Sequence, residues 1–201
     1  LTRNKLKNDP RFAPLTTQGL RDKAREQCPT CESWKINIIA GNALEYAWER
    51  MSGLARNFTD KFSSSVRSKE VKPDFVFDKR EHTTDENGKP DIFLYDKGVF
   101  VEVKASQNVL DKNSFNKQIW AEIDALSNQK DSELSDWFFG ALGKKAPDGV
   151  LTFVLVVTEG TQVDQSLITE ATNKGISFYI SYAYENVSTG GVVFSAPERK
   201  N

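Results

Sequence analysis

The sequence has little cysteine and almost no histidine. Cys28 and Cys31 are its two cysteines, and His82 is its one histidine. Two cysteines are too few for the several cross-links that support a small secreted scaffold. A structural zinc site takes about four nitrogen or sulfur ligands, so zinc binding is not expected. The motif Cys-Pro-Thr-Cys then contains either two free thiols or one local disulfide, because no βαβ pattern surrounds it as in thioredoxin-like redox pairs.

Long hydrophobic runs are also lacking. No apolar run approaches the roughly 20 residues of a membrane-spanning helix, so the sequence predicts no membrane span and no signal peptide. The 201 residues are enough for one sizeable domain. Because the first residue is Leu1 rather than Met, we expect a fragment, a processed product or a trimmed chain. Residues 1–80 contain 16 Lys and Arg against 10 Asp and Glu, a basic balance compatible with binding a phosphate backbone.

The hydrophobic pattern predicts an α/β protein. Apolar residues recur at three- or four-residue steps over 34–57, which predicts a helix, and two strands are expected within 58–78. The apolar run at 149–158 predicts a buried central strand. Residues 1–33 are polar and basic and predict an N-terminal extension or linker that packs loosely, before a domain over 34–201. The other expected elements are helices at 114–129 and 162–173, a strand at 176–184 and an edge strand at 190–195.

Residues 89–104 form the most informative stretch. Two apolar arms flank Asp96-Lys97-Gly98, which predicts a β-hairpin. If the turn consists of its last two residues, Asp91 lies opposite Lys104, and Glu102 shares their face because side chains alternate with a period of two. The pattern therefore predicts two carboxylates and one amine at one end of a hairpin.

These side chains suit a divalent cation. Mg²⁺ takes oxygen ligands, usually one or two carboxylates together with water and substrate phosphate. A neighbouring lysine can orient the attacking water and offset the charge of the phosphate. The alternative is a surface hairpin on which Glu102 and Lys104 are solvated. Charges that close an apolar strand, where a sheet is usually buried, favour the functional interpretation.

The segments Pro90-Asp91 and Glu102-Val103-Lys104 resemble the signature of the PD-(D/E)xK nuclease superfamily. The resemblance covers roughly residues 36–184 and implies a restriction-endonuclease-like core, a mixed sheet flanked by helices in the order α-β-β-β-α-β-α-β. It also implies one or two Mg²⁺ or Mn²⁺ ions held by Asp91, Glu102 and the carbonyl of Val103. Lys104 would then position the nucleophilic water.

The same resemblance points to two helical residues. Glu45 lies on the helix before the hairpin, where family members often carry a glutamate that joins the metal cluster. Gln118 lies on the first turns of the helix at 114–129, where several family branches carry a glutamine that contacts substrate phosphate or metal-bound water. The alternative for both residues is an exposed position on a helix.

A second Pro-Asp leaves the first metal ligand open. Pro73-Asp74 precedes a short apolar segment, and the polar residues 78–89 could be an insertion that separates Asp74 from Glu102 in sequence but not in space. A three-residue turn in the hairpin would also direct Asp91 to the opposite face, because a one-residue slip in register exchanges the two faces of a strand. The two-residue turn favours Asp91, and Asp74 is the alternative ligand.

The resemblance implies a metal-dependent nuclease that hydrolyses phosphodiester bonds, in DNA rather than RNA. A restriction or repair endonuclease is one alternative, and a non-catalytic nucleic-acid-binding module is another of a different class. The toxin domains of the superfamily suggest an effector that acts in the cytoplasm of a target cell and is neutralised by an immunity protein. The presence of Asp91, Glu102 and Lys104 favours an enzyme, since a non-catalytic copy has no chemical need of all three.

Overall fold

The computed structural model describes residues 1–77, 98–129 and 151–201. They form an α/β fold in which a mixed sheet lies between helices. The helices are α1 (Arg3–Asn8), α2 (Thr17–Gln27), α3 (Ser33–Ser52), α4 (Ser114–Ser127) and α5 (Gln165–Asn173). The strands are β1 (Phe12–Pro14), β2 (Phe75–Phe77), β3 (Val99–Lys104), β4 (Thr152–Thr158), β5 (Ser177–Asn186), β6 (Val192–Phe194) and β7 (Glu198–Arg199).

The sheet has a parallel centre and antiparallel margins. Its strand order is β1-β5-β4-β3-β2, and β6 and β7 also pair with β5. β3, β4 and β5 run parallel, whereas β2 runs antiparallel to β3. All seven residues of β4 are buried, as expected of a parallel strand covered on both faces. The mixed sheet flanked by helices that the sequence predicted is confirmed.

Helices cover both faces of this sheet. α2 and α3 pack on one face, in a core that includes Val99, Val101 and Val103 of β3. α4 and α5 pack on the other face, against Phe100 and apolar residues of β4 and β5. The alternation along β3 therefore directs the side chains at even positions, from Phe100 onward, toward α4.

Helix α3 is shorter than the sequence predicted. It ends at Ser52 because Gly53 adopts φ +69°, and the N–H of Gly53 donates to the carbonyl oxygen of Glu49 at 2.9 Å. Glycine takes this left-handed conformation at no steric cost and commonly ends a helix.

Across the described ranges, neither α3 nor another helix combines the length and apolar character needed to cross a membrane.

The first of the two strands predicted within residues 58–78 is reduced to a single bridge, between Phe62 and Val71. The serines after Phe62 bind a side chain instead of extending a ladder. The hydroxyl of Ser64 and the backbone N–H of Ser65 donate to Oδ2 of Asp124 on α4, at 2.8 and 2.7 Å. Ser and Thr side chains often compete with backbone pairing in this way. The segment is therefore a loop fixed to α4.

Residues 1–33 belong to the same folded unit, although the sequence predicted a loosely packed extension. β1 pairs with residues 184–186 of β5. Leu6, Leu15 and Leu20 are at most 3% exposed and pack in the two cores beside the sheet. Widely spaced leucines in a polar sequence give no periodic signal, so their burial is visible only in the folded chain.

The antiparallel neighbour of β3 is the strand that follows Pro73-Asp74. Val99–Val101 pairs with β2 on one edge and with β4 on the other, and Phe75 lies opposite Val101. The hairpin arm predicted to precede β3, with Asp91, lies outside the described residues. The pairing seen in the structure is the alternative that the sequence left open.

Cys28 and Cys31 form a disulfide, with a Cα–Cα distance of 5.4 Å. This confirms the local disulfide, which was one of the two forms expected for Cys-Pro-Thr-Cys. Both residues pack against the core beneath α2 and α3. His82 lies outside the described residues.

Candidate functional site

The end of β3 carries two charged residues into the protein interior. Glu102 and Lys104 lie on the face of β3 that contacts α4, because they share the parity of Phe100. Glu102 is fully buried, and the side chain of Lys104 is 15% exposed. Charged side chains are almost never fully buried without partners. The residues that surround Glu102 therefore form the candidate functional site.

Within the described residues, Lys104, Gln118 and Asp74 bind the Glu102 carboxylate. Lys104 forms an ion pair with its Oε1 atom. The side-chain amide of Gln118, on α4, donates to the same oxygen at 2.7 Å. The backbone N–H of Asp74 donates to Oε2 at 3.2 Å. These contacts fix the carboxylate between β2, β3 and α4.

Asp74 is the aspartate that the structure places beside Glu102, whereas the sequence prediction favoured Asp91, opposite Lys104. Asp74 immediately precedes β2, and continuation of the β2–β3 register places it opposite Glu102. Its Oδ2 atom accepts a hydrogen bond from the backbone N–H of Val103 at 2.8 Å. The structure thus brings Asp74, Glu102 and Lys104 together, while Asp91 lies outside the described residues.

Glu122 is a further carboxylate in this site, and the sequence reasoning missed it. The amide of Gln118 donates to Oε1 of Glu122 at 3.0 Å, so one amide bridges Glu102 and Glu122. In the described part of the chain, the buried Oε2 atom of Glu122 has no hydrogen-bond partner. One signal could have revealed it: Glu122 follows Gln118 by four residues, on one helix face and within a buried stretch that is mostly apolar.

Asp74, Glu102, Glu122 and Lys104 lie close enough together for their charges to interact. Burial, and then repulsion from Asp74 and Glu122, raises the pKa of Glu102 well above its ordinary value. Burial also raises the pKa of Glu122 to about 7. Burial lowers the pKa of Lys104, but the nearby charges of Glu102, Asp74 and Glu122 outweigh it, and the net shift is upward. Lys104 is therefore an ammonium at neutral pH, and the raised pKa values of Glu102 and Glu122 mean that both acids tend to retain a proton unless a cation compensates their charge.

A left-handed turn immediately before Gln118 positions its side chain next to Glu102 and Glu122. Phe115, Asn116 and Lys117 have φ values of 53°, 54° and 62°. This conformation costs non-glycine residues about 1–2 kcal/mol each. The guanidinium of Arg67 donates to the carbonyl oxygen of Asn116 at 3.2 Å, which holds the turn against the loop before β2. Backbone strain of this kind is concentrated at functional sites in proteins.

Glu45 lies at the margin of the cluster. It lines a cavity of about 410 Å³ together with Val103 and Lys104. Its Oε2 atom forms an ion pair with Arg56 at 3.0 Å. Burial and repulsion from Asp74 raise the pKa of Glu45. The structure thus places Glu45 on the wall of the cavity beside Val103 and Lys104, in an ion pair with Arg56.

The residues present fit a hard divalent cation. The described ranges contain no cluster of three His, Cys, Asp or Glu side chains arranged to hold a metal ion. They do contain the smaller set that Mg²⁺ uses when water and substrate phosphate complete its shell, namely one or two carboxylates. Asp74 and Glu102 are those carboxylates. The unpartnered oxygen of Glu122 and the raised pKa values nearby show that negative charge in this site lacks sufficient compensation.

Comparison of the chain with protein-family models, with curated proteins and with solved structures finds no match in any of the three. The functional interpretation therefore depends on the geometry of the site and on the motif that the sequence contains.

Proposed function

We propose that this protein is a metal-dependent nuclease that hydrolyses phosphodiester bonds in nucleic acid, with DNA as the favoured substrate. One observation carries the proposal: Asp74, immediately before β2, lies beside Glu102 of the antiparallel strand β3, and Lys104 pairs with Glu102. The PD-(D/E)xK resemblance then includes Pro73-Asp74 in place of Pro90-Asp91. The mixed sheet between helices is compatible with the restriction-endonuclease-like core that this resemblance implies.

Asp74 and Glu102, with the carbonyl of Val103, would hold Mg²⁺ or Mn²⁺. The bound metal would lower the pKa of a water molecule and stabilise charge on the phosphate. Gln118 fixes the orientation of Glu102, because its amide donates to one oxygen of that carboxylate. Asp74 is oriented by the N–H of Val103. Two carboxylates held in place before the metal arrives need little reorganisation to bind it.

Lys104 has the role of a fixed cation. Because its pKa is raised, it donates hydrogen bonds and does not accept a proton from water at neutral pH. Its ammonium would orient the attacking water and offset the charge that develops on the phosphate. Glu45 lines the cavity beside Lys104 and would complete the surroundings of the water.

The test is incubation of the protein with plasmid, linear DNA, tRNA and total RNA, in Mg²⁺, in Mn²⁺ and in EDTA. We expect cleavage of DNA with either metal and none in EDTA. The matched control is Glu102→Gln, which keeps the shape of the side chain and the contact with Gln118 but removes the charge. Equal cleavage in EDTA, or no cleavage of any nucleic acid with either metal, would contradict the proposal.

A further inference from the structure

A second cavity lies next to the carboxylate site. It measures about 560 Å³ and lies between α4 and the loop that joins α3 to β2. Gln118, which binds Glu102, forms part of its wall. Its other lining residues all come from the loop, and they include Phe58, Lys61, Lys69 and Lys72. We call this cavity the loop groove.

The loop groove is basic. Four cationic side chains line it against one carboxylate, that of Glu70. Lys61, Lys69 and Lys72 are exposed, and none of them forms an ion pair with a carboxylate in the described ranges. Their charge is therefore available to an anionic ligand, and Lys72 is close enough to Glu45 to influence its pKa.

The shape of the loop groove is fixed by the fourth cation, Arg67. Its guanidinium donates to the carbonyl oxygens of Lys69 and Glu70, at 3.1 and 3.2 Å, and to that of Asn116 on the left-handed turn. Asp124 binds the same loop through Ser64 and Ser65. The lysines thus project from a loop that is tied to α4 at two places.

An exposed aromatic ring completes the loop groove. Phe58 is 71% exposed to solvent, which is a large fraction for a phenylalanine. Aromatic side chains in a basic groove are the usual platform on which the bases of single-stranded nucleic acid stack. A base within a duplex is already stacked on its neighbours, so it offers Phe58 no free face.

We propose that the loop groove binds a single-stranded segment of the DNA substrate next to the bond that is cut. Lys61, Lys69 and Lys72 bind successive phosphates, and Phe58 stacks on an unpaired base. The strand then passes Gln118, whose side-chain amide binds the buried carboxylate of Glu102. This inference depends on the proposed function for its substrate, but the loop groove can be tested without cleavage.

The test measures binding of a short fluorescein-labelled single-stranded DNA by fluorescence anisotropy in EDTA, over a series of salt concentrations. The variant Lys61→Ala/Lys69→Ala/Lys72→Ala should bind more weakly, and the slope of log K against log salt should fall by about two, because each phosphate contact on a single strand contributes about 0.7. The control removes three exposed cations from α1, α2 and α3, as Lys5→Ala/Arg25→Ala/Arg50→Ala, and should keep the wild-type slope.

The stacking contact has its own variants. Phe58→Ala should weaken binding of the single strand by roughly five- to a hundredfold, whereas Phe58→Tyr, which keeps an aromatic face, should retain it. Binding of a duplex of the same sequence should be weaker than that of the single strand and insensitive to Phe58→Ala. An unchanged salt slope in the triple lysine variant, or a duplex that binds as tightly as the single strand, would overturn the inference.

The two proposals fail in different ways. If the wild-type protein cuts DNA while the triple lysine variant binds and cuts as the wild type does, the loop groove is not the binding surface and the nuclease proposal stands. If the groove variants lose binding as expected but the wild type cuts nothing in Mg²⁺ or Mn²⁺, the binding inference stands and the nuclease proposal fails.

Discussion

The Oδ2 atom of Asp74 accepts a hydrogen bond from the backbone N–H of Val103 at 2.8 Å. The N–H of Asp74 in turn donates to the carboxylate of Glu102. These two reciprocal contacts join the start of β2 to the end of β3, and they direct two carboxylates toward the same place. Two buried or partly buried acids this close repel each other unless a cation or a proton lies between them.

We expect Asp74→Asn to abolish Mn²⁺ binding and to reduce cleavage by orders of magnitude. The asparagine side-chain oxygen can still accept from the N–H of Val103, so the fold should survive while the charge is lost. Isothermal titration calorimetry with Mn²⁺ measures the binding. Asp91→Asn is the comparison variant, and it should bind Mn²⁺ as the wild type does. Loss of binding in Asp91→Asn, with binding retained in Asp74→Asn, would restore Asp91 as the metal ligand.

We expect Lys104→Met to lower cleavage by about 10²- to 10³-fold, the usual effect of removing one aligned donor from an active site. In EDTA the variant should also lose about 3 kcal/mol of unfolding free energy, because Glu102 then remains buried without its cation. The double variant Lys104→Met/Glu102→Gln should regain this stability and remain inactive. Chemical denaturation and a cleavage assay separate the two effects.

Lys112→Met is the matched control for Lys104→Met. Lys112 pairs with Glu170 at 2.8 Å, but its side chain is 31% exposed. A partly solvated ion pair contributes roughly 0–1 kcal/mol, so this variant should change stability little and cleavage not at all. Similar losses of cleavage in the two variants would mean that Lys104 has no specific role.

We expect the disulfide to stabilise the protein without taking part in the reaction. Cys28→Ser/Cys31→Ser should lower the unfolding free energy by at most about 2 kcal/mol, as the chain-entropy model gives for so short a loop. Cleavage should stay within about twofold of the wild-type rate, since Cys28 and Cys31 pack beneath α2 and α3, apart from the described carboxylates. Reduction of the wild type with dithiothreitol should reproduce the variant. Activity lost under both treatments would contradict this.

The local parts of the site could be predicted from the sequence. The alternation in Val99–Lys104 places Glu102 and Lys104 on one face, and this is a property of any strand. Gln118 was identified through the family resemblance, on the first turns of a helix whose apolar face is clear from the sequence. The buried run that became β4 was equally clear, because a parallel strand covered on both faces is apolar throughout.

The long-range parts of the site could not be predicted in the same way. Whether Asp74 or Asp91 meets Glu102 depends on which strand pairs with β3, and no local signal in the sequence decides this. Glu122 was missed because a charged residue on a helix is normally read as solvent-facing. Its burial results from the packing of α4 against the charged end of β3.

Glu122 should make the metal-free protein less stable as the pH rises. Its pKa is about 7 in the folded protein, mainly through burial, against an ordinary value of 4.5. A group whose pKa is raised by folding binds its proton more tightly in the folded state. Its stabilising contribution is therefore complete below about pH 4.5 and is lost as the pH rises through 7, by up to about 3 kcal/mol.

Urea denaturation in EDTA, from about pH 5 to pH 8, measures this loss. Glu122→Gln cannot titrate at this position, and its amide can still accept from Gln118, so its unfolding free energy should fall less over the same range. The difference between the two proteins isolates Glu122 from the other titrating groups. Mg²⁺ should restore stability to the wild type at pH 8, because a ligand that binds the folded state alone stabilises it. Parallel curves for the wild type and Glu122→Gln in EDTA would show that Glu122 is not the titrating group.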